Sequence, residues 1–246
     1  MKHVFRRVAA VAAIVLSTAA AQAEIIDFEQ PAGGPNAQSI PFLYHGDVFL
    51  QGSYYFNVFS NDANAQLGDF VGTMIDGNDL SMCFSVLCPT NNPSTSYGSL
   101  NDGAVAIGRM DGQSFAVNGF DASFLGASGS SLPPVSGLLR LQGFTSTGAT
   151  LTETFQLAGP NAGGELGFGS YQTSGSFAST LFETVYAFGF ACNAGGTCNA
   201  FSTDRAQFAM DNISVSAVPE PETTALFGLG LVAMVAAVRR RRQQPV

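Results

Sequence analysis

The sequence has little positive charge and no tryptophan, and both deficits restrict what the protein does. Its 246 residues include 10 Lys and Arg against 18 Asp and Glu. Between residues 24 and 217 the basic side chains are Arg109, Arg140 and Arg205, against sixteen acids, so the formal charge there is −13. Such a region repels nucleic acid and anionic lipid, which excludes nucleic acid as a partner. It attracts divalent cations or cationic partners, although acidic surfaces also simply keep exported proteins in solution.

The motifs of common hydrolases are also lacking. His45 is the one histidine beyond His3, and no serine lies in a Gly-x-Ser-x-Gly elbow, so a Ser-His-Asp hydrolase has little support. We interpret His45 as a turn residue. A glycosidase needs two carboxylates, and nothing singles out a pair among Glu153, Glu165 and Glu183. We therefore expect no enzymatic activity, and a secreted glycoside hydrolase is the least favoured alternative.

The first residues match an export signal. A basic segment ending at Arg7 precedes an apolar run over residues 8–20, and Ala21-Gln22-Ala23 supplies a small-x-small cleavage pattern. A short N-terminal core helix is the alternative interpretation. We predict a signal peptide over residues 1–23, export by the Sec route, and cleavage after Ala23.

The C-terminal residues combine a rigid motif, an apolar run and a basic cluster. Pro219, Glu220 and Pro221 precede the apolar residues 223–238, and the cluster consists of Arg239, Arg240, Arg241 and Arg242. As a helix the run extends about 24 Å, whereas a bilayer core is roughly 30 Å thick, so the span is marginal. We nevertheless predict a single C-terminal transmembrane helix, with the arginines on the cytoplasmic side.

These features together resemble the PEP-CTERM sorting signal of bacterial exported proteins. The resemblance covers residues 218–246 and implies that exosortase, a membrane transpeptidase, recognises Pro219-Glu220-Pro221. Two prolines hold this segment extended, as processing requires. The resemblance implies that the helix holds the protein transiently in the inner membrane, with the four arginines as the membrane stop, before release to the cell surface or extracellular matrix. A plain C-terminal anchor is the alternative.

The segment between these ends suits one exported domain over residues 24–217. Its closing residues, Gln207-Phe208-x-x-Asp211, resemble the signature of a PEP-CTERM subfamily with a Gln-Phe-x-x-Asp motif. No activity is assigned to that subfamily, so this resemblance adds no mechanism.

Four cysteines occur in two close pairs, Cys83 with Cys88 and Cys192 with Cys198. An even number of cysteines in an exported protein implies disulfides. Three connectivities exist, and we favour the two local ones. A zinc site is the rival interpretation, but the spacings differ from the usual Cys-x2-Cys.

The domain is rich in glycine and serine, and its short apolar runs are separated by turn signals, which predicts an all-β fold. We expect a two-sheet β-sandwich, jelly-roll-like and similar to lectins or carbohydrate-binding modules. Asp111-Gly112 and Ser146-Thr147-Gly148 predict hairpin turns. The predicted strands cover Phe49–Phe59, Phe70–Ile75, Ala104–Met110, Ser114–Phe124, Leu138–Thr145, Thr150–Leu157, Leu181–Cys192 and Gln207–Val215.

The two terminal strands resemble those of jelly-roll carbohydrate-binding modules, with Asp-Phe-Glu opening the domain and Asp-Asn-Ile near its end. That resemblance implies neighbouring strands whose carboxylates hold a structural Ca²⁺, with Asp27, Glu29 and Asp211 as candidate ligands. A change of apolar parity also predicts a bulge near Asp211. The alternative is that the acids simply face solvent.

We expect a non-catalytic protein of the cell envelope or extracellular polysaccharide matrix, with a structural, biofilm-associated role. The alternative is a calcium-stabilised glycan-binding module. The absence of tryptophan weakens the usual stacking platform for sugars, although tyrosines can replace it. Tyr97, in an expected loop, is the best exposed candidate.

Overall fold

The structure of the protein is a computed structural model. It describes residues 23–33, 41–62, 64–83, 85–127, 129–201, 205–217 and 234. Residues Ala23–Ser216 form one compact unit. Outside this unit the structure describes Ala217 and Met234.

Seven of the described strands form sheet 1. They are β1 (Ala23–Ile26), β3 (Phe42–Tyr44), β6 (Phe70–Asp76), β8 (Thr95–Ser99), β10 (Phe115–Phe124), β14 (Gly169–Gln172) and β17 (Phe208–Ala217). The order across the sheet is β14-β10-β17-β8-β6-β3, and β1 also pairs with β17.

Eight of the described strands form sheet 2. They are β2 (Ala32–Gly33), β4 (Val48–Gln51), β5 (Tyr54–Ser60), β9 (Gly103–Arg109), β12 (Val135–Phe144), β13 (Thr150–Ala158), β15 (Thr184–Cys192) and β16 (Cys198–Asn199). The order is β13-β12-β15-β9-β5-β4-β2, and β16 pairs with the end of β15. A short helix, α1 (Gly175–Ala178), joins β14 to β15.

One hydrophobic core lies between the two sheets and draws residues from both. Phe28 links them, because its ring centroid lies 5.2 Å from that of Phe56 in sheet 2 and 6.3 Å from that of Tyr97 in sheet 1. Phe49 stacks on Phe56, and Phe208 packs edge-on against Tyr97. Each such buried aromatic ring stabilises the fold by roughly 1.5–3 kcal/mol relative to its exposed state. The predicted two-sheet β-sandwich is therefore confirmed.

Part of the outer surface of sheet 1 is covered by a segment of the same chain, residues 77–83 and 85–91, which we call the cap. It contains a 3-10 helix (Leu80–Cys83) and β7 (Val86–Leu87), which pairs with β11 (Gly126–Ala127). A second hydrophobic cluster lies beneath it, in which Ile75 is 2% exposed and Leu125 is fully buried. The cap therefore gives sheet 1 a hydrophobic layer on both of its surfaces.

One part of the fold-class prediction, the C-terminal transmembrane helix, is wrong. No helix among the described residues is long and apolar enough to span a membrane. The apolar run itself lies outside those residues apart from Met234. Its shortness gives the physical reason, since 16 residues extend about 24 Å as a helix, less than the roughly 30 Å of a bilayer core.

Candidate functional site

The residues predicted from the sorting-signal resemblance lie outside the described part of the chain. They are Pro219, Glu220, Pro221 and the four arginines Arg239, Arg240, Arg241 and Arg242. The predicted signal peptide, residues 1–23, also falls there except for Ala23. Their roles therefore stay predictions from sequence.

Both cysteine pairs form the local disulfides that the sequence favours. Cys83 bonds to Cys88 with 5.9 Å between their Cα atoms, and Cys192 bonds to Cys198 with 4.0 Å between theirs. The first disulfide closes a loop within the cap, and the second ties β16 to the end of β15. Neither pair is available as zinc ligands.

The two acids of the first strand region contact different sheets. Phe28 separates them, with its backbone in the left-handed region at φ 54°. The Asp27 carboxylate accepts a hydrogen bond of 3.1 Å from Nε2 of Gln51, in sheet 2. The Glu29 carboxylate accepts one of 2.9 Å from the backbone N–H of Thr95, in sheet 1. The predicted ligands Asp27 and Glu29 are thus directed apart.

Asp211 lies where β17 exchanges one partner strand for another. Met210 pairs with β8, whereas Ile213 pairs with β1, and Asn212 between them has φ 48°. This irregularity agrees with the bulge expected near Asp211. It places the Asp211 side chain, fully shielded from solvent, against the chain segment that precedes β8.

Four donors surround the Asp211 carboxylate, the longest contact being that of Asn212 Nδ2 at 3.5 Å from Oδ2. Asn92 Nδ2 and Ser94 Oγ donate to Oδ2 over 2.8 and 2.6 Å, and the Asn212 backbone N–H donates to Oδ1 over 2.7 Å. Burial raises the pKa of Asp211, an effect that these hydrogen bonds partly offset and that the nearby charge of Asp121 reinforces. The buried carboxylate is therefore held by neutral donors.

No group of three His, Cys, Asp or Glu side chains comes together to hold a metal ion in the part of the chain that the structure describes. Glu29 and Asp211 both contact the segment 92–95, through Thr95 and Ser94 respectively. Asp27 contacts Gln51 instead. Calcium binding by Asp27, Glu29 and Asp211 therefore stays a prediction from sequence.

The polar residues considered for hydrolysis make structural hydrogen bonds. His45 lies in the turn between β3 and β4, and its Nδ1 accepts the backbone N–H of Ser60 at 2.9 Å. Glu153 accepts the hydroxyl of Ser174 at 2.7 Å and its backbone N–H, where α1 begins. These contacts hold a turn and a helix start in place.

The outer surface of sheet 2 is an open layer of aromatic side chains. Along β12 the odd-numbered residues Leu139 and Leu141 are buried in the core, so the even-numbered ones face outward and are half-buried. The strand registers place the same alternation on the neighbouring strands. We call the resulting surface the aromatic face, and its rings belong to Tyr55, Phe59, Phe144, Tyr186, Phe188 and Phe190.

The rings of the aromatic face contact one another across strands. Tyr186 is at the centre, because Phe59 and Phe144 each pack edge-on against its ring, at 5.7 and 5.3 Å between centroids. Phe188 contacts Phe190 at 5.7 Å and Phe201 at 5.2 Å. Such edge and tilted contacts fix the orientation of half-buried rings.

Strand β9 forms the floor of this surface. Its outward residues are small, namely Ala104, Ala106 and Gly108. A methyl group added at Gly108 would collide with the ring of Tyr55, so the glycine lets that ring lie across the strand. Aromatic side chains of β5 and β15 therefore meet above β9, where Ala104 and Ala106 are buried.

The aromatic face has no acidic residue at the outward positions of β5, β9, β12, β13 and β15, although the domain contains sixteen acids. Its one charged side chain at those positions is Arg140, whose Cζ lies 4.8 Å from the ring centroid of Phe190. The remaining polar groups there are uncharged, among them Asn57, Gln142 and Thr152. The face is therefore chemically unlike the rest of this acidic domain.

Sequence reasoning found part of this surface and missed the rest. The even positions of the predicted strand Leu181–Cys192 carry Phe182, Tyr186, Phe188 and Phe190, which predicts one aromatic face, and the last three residues do share it. Phe182 precedes the strand, bridges to Phe115 and is fully buried. The prediction that Tyr97 is exposed and can stack on a sugar is wrong, since Tyr97 lies in β8 and is 1% exposed.

Several solved structures resemble the chain weakly. A CBM22-1 xylan-binding domain from Paenibacillus barcinonensis Xyn10C is 9% identical, with a TM-score of 0.34 over 82% of this chain and 98% of that domain. A cyclase from Fischerella sp. TAU is 10% identical, with a TM-score of 0.30 over 80% of this chain and 98% of the cyclase. At these TM-scores the likeness assigns neither a ligand nor an activity.

No curated protein matches the sequence. Residues 217–242 match a family model described as the PEP-CTERM protein-sorting motif. The match includes Pro219, Glu220 and Pro221 and ends at Arg242. The chain therefore carries, after its β-sandwich, the sorting motif of exported, envelope-directed proteins.

Proposed function

We propose that this is a non-catalytic exported protein, which exosortase processes and directs to the cell envelope or extracellular polysaccharide matrix, where it has a structural, biofilm-associated role. The observation that carries the proposal is the sorting motif at residues 217–242. The disulfides Cys83–Cys88 and Cys192–Cys198 fit an oxidising compartment outside the cytoplasm.

Processing acts on the segment Pro219-Glu220-Pro221. Proline fixes its own φ and restricts the residue before it, so this segment stays extended and accessible to a transpeptidase. The mature protein on this proposal lacks Thr223–Val246. The arginine cluster is therefore absent from the form that reaches the matrix.

The sorting proposal is tested by mass spectrometry of the protein in wild-type cells and in cells lacking exosortase. We expect a surface-exposed form without Thr223–Val246 in the wild type and the uncleaved tail in the deletion strain. Replacing Pro219 and Pro221 with alanine should reproduce the deletion, while alanine at Gln243 and Gln244 serves as a control. An arginine-rich tail still attached to the wild-type surface form would contradict the proposal.

A second function, glycan binding, is favoured by the aromatic face. Half-buried rings of Tyr55, Tyr186 and Phe188 can each stack on the apolar surface of a pyranose, and neighbouring amide and hydroxyl groups can bond to sugar hydroxyls. Polysaccharide of the extracellular matrix is the ligand that the sorting destination provides. Glycan-array screening of the mature protein tests this function, and uniform absence of binding would leave the structural role alone.

A calcium-stabilised form of this second function rests on the sequence resemblance. If Asp27, Glu29 and Asp211 bind Ca²⁺, a hundredfold excess of the ion over its Kd should increase the unfolding free energy by about 2.7 kcal/mol and so raise the melting temperature. Thermal melts in Ca²⁺ and in EDTA measure this. An identical melting temperature in both, with Mg²⁺ as a control, would remove calcium from the proposal.

A further inference from the structure

The position of Arg140 distinguishes the aromatic face from an ordinary half-exposed sheet surface. Arg140 lies near the middle of β12, opposite Phe188 on β15 and opposite Thr154 on β13. Its side chain is half-buried and faces outward with the aromatic rings. It is therefore located inside the face and not at its edge.

Two contacts fix the guanidinium of Arg140. Its Nε donates a hydrogen bond of 3.0 Å to the hydroxyl of Thr154, and its Cζ lies 4.8 Å from the ring centroid of Phe190. A cation above an aromatic ring is attracted to the ring face. Together the contacts hold the planar group against the face, while its two terminal nitrogens, Nη1 and Nη2, make no hydrogen bond to the described residues.

The charge around Arg140 is the second observation. In the described part of the chain the one ion pair joins Arg109 to Asp111, so Arg140 has no carboxylate partner there. Sixteen acids lie between residues 24 and 217, yet none occupies the outward positions of the five strands around Arg140. The result is a local positive site on a strongly negative domain.

From these observations we infer that the aromatic face binds an anionic polysaccharide, with Arg140 pairing with the carboxylate or sulfate group of a sugar whose ring stacks on the neighbouring aromatic side chains. This inference rests on the proposed glycan-binding function and specifies its ligand class. A guanidinium presents two parallel N–H donors that match the two oxygens of a carboxylate. The net charge of −13 opposes a polyanion at long range, so the affinity must come from the local contacts of the guanidinium and the stacked rings, and the polymer is confined to this face.

The face favours a polymer of sugars over other occupants because it mixes rings with hydrogen-bonding groups. Gln142 and Tyr186 also lie opposite each other, and they form the next outward-facing pair along the two strands after Arg140 and Phe188. Each pair places an aromatic side chain beside a side chain that donates hydrogen bonds. Two such pairs in succession suit a polymer of repeating sugar units, because each unit has a ring surface that can stack and hydroxyl groups that can form hydrogen bonds.

The test measures binding of the mature protein, by isothermal titration, to three polymers. They are polygalacturonate, the neutral polymer obtained by reducing its carboxyl groups, and dextran sulfate. We expect an anionic polymer to bind at least tenfold more tightly than the reduced one. Preference for polygalacturonate identifies carboxylate as the anion, and preference for dextran sulfate identifies sulfate.

Variants of the two arginines separate a local contact from overall charge. We expect Arg140→Gln to weaken binding of the preferred anionic polymer by about 10-fold to 100-fold, as for a lost hydrogen bond to a charged group. Arg140→Lys should retain part of the affinity, because it keeps the charge but loses the planar pair of donors. Arg109→Gln changes the net charge equally outside the face, so its affinity should equal that of the wild type. Melting curves check that each variant is folded.

The outcomes distinguish the inference from the function on which it rests. Equal binding of polygalacturonate and its reduced form, unchanged by Arg140→Gln, overturns the anionic ligand and leaves glycan binding intact. Absence of binding to every polymer, here and on a glycan array, overturns both. A dimer in light scattering that Tyr186→Ala converts to a monomer would assign the face to a second copy of the chain and also overturn the inference. None of these results bears on exosortase processing.

Discussion

The two sheets of the sandwich differ most on their outer surfaces. Sheet 1 is covered by the cap, which buries Ile75 and Cys88 in a second hydrophobic cluster. Sheet 2 has no comparable layer among the described residues, and rings such as Tyr186 and Phe188 stay half-exposed. Exposed rings that are held by mutual contacts and lie in an acid-free surface are typical of a binding site. The difference supports the proposal that sheet 2 binds a ligand, whereas the buried cluster under the cap serves stability.

The sharpest test of this comparison is a matched pair of truncations. Ile75→Ala removes a side chain that is 2% exposed between sheet 1 and the cap, and we expect it to cost about 3 kcal/mol of unfolding free energy. Phe188→Ala on the aromatic face should cost about 1 kcal/mol, because the ring is already partly solvated. Urea denaturation of both variants measures the difference. Equal losses would show that the aromatic face is as structural as the cap.

The two disulfides give a smaller contrast. Their loops have similar lengths, so each disulfide lowers the entropy of the unfolded chain by a similar amount. Each should therefore stabilise the fold by about 2 kcal/mol. Cys88 is also 4% exposed in the second cluster, so replacing Cys83 and Cys88 with alanine should loosen the cap and expose apolar surface. Urea denaturation and binding of an apolar fluorescent dye measure these effects.

Alanine at Cys192 and Cys198 serves as the control for the cap disulfide. These cysteines are half-buried at the end of β15, so their loss should lower stability without new dye binding. Dye binding by this variant, and none by the cap variant, would contradict the role assigned to the cap.

The smallest expected effect is a dependence on pH that arises in sheet 1. Burial raises the pKa of Asp211 in the folded protein above the ordinary value of 3.8. The stability that the protonated Asp211 side chain contributes is therefore complete below pH 3.8 and is lost as the pH rises through the raised pKa of the folded state. The difference in unfolding free energy between the wild type and Asp211→Asn should therefore fall as pH increases from about 3.5 to 7. Urea denaturation at several pH values measures it.

Asp111 provides a control with the opposite sign. Its hydrogen bonds with Arg109 lower its pKa to about 2, so its contribution is present above 3.8 and is lost as pH falls toward 2. The difference between the wild type and Asp111→Asn should fall on acidification. The same direction for both variants would contradict the burial of the Asp211 carboxylate.

The sequence predicted those elements whose signals are local. The run Phe70–Ile75 corresponds to β6, and Ser146-Thr147-Gly148 does connect two paired strands, β12 and β13. The turn at Gly148 requires the left-handed conformation, with φ 82°, that glycine adopts readily. Period-two alternation and turn residues therefore identify strands and tight turns without knowledge of their partners.

Of three errors, two arise because pairing partners lie far apart in sequence, and one arises from a local turn that was missed. Asp111-Gly112 was predicted to form a hairpin, but β9 and β10 belong to different sheets, so this turn crosses the sandwich. The predicted strand Phe49–Phe59 is interrupted at Gly52, where φ is 57°, and forms the hairpin of β4 and β5. The loop expected around Tyr97 is instead β8, whose position between β6 and β17 buries it.

The candidate site was difficult to predict for the same reason. One edge of the aromatic face was evident in β15, because a single strand carries three of its rings. The contribution of Arg140 depends on β12 pairing with β15, about fifty residues later in the chain. The C-terminal motif was recognised because its residues are contiguous, and the family match at residues 217–242 confirms it. Contiguous motifs can be predicted from one sequence, whereas a surface assembled from five strands cannot.

The small outward residues of β9 have a consequence for how this protein can diversify. Ala104 and Ala106 point away from the core, and their neighbours Val105 and Ile107 point into it. Both alanines are nevertheless buried, 1% and 6% exposed, because the rings of Phe59 and Tyr186 meet 5.7 Å apart on the same side of the sheet. A larger side chain at either position would have to displace these rings. Small residues on β9 therefore set the spacing of the aromatic face, and a single substitution there would alter both its shape and the packing beneath it.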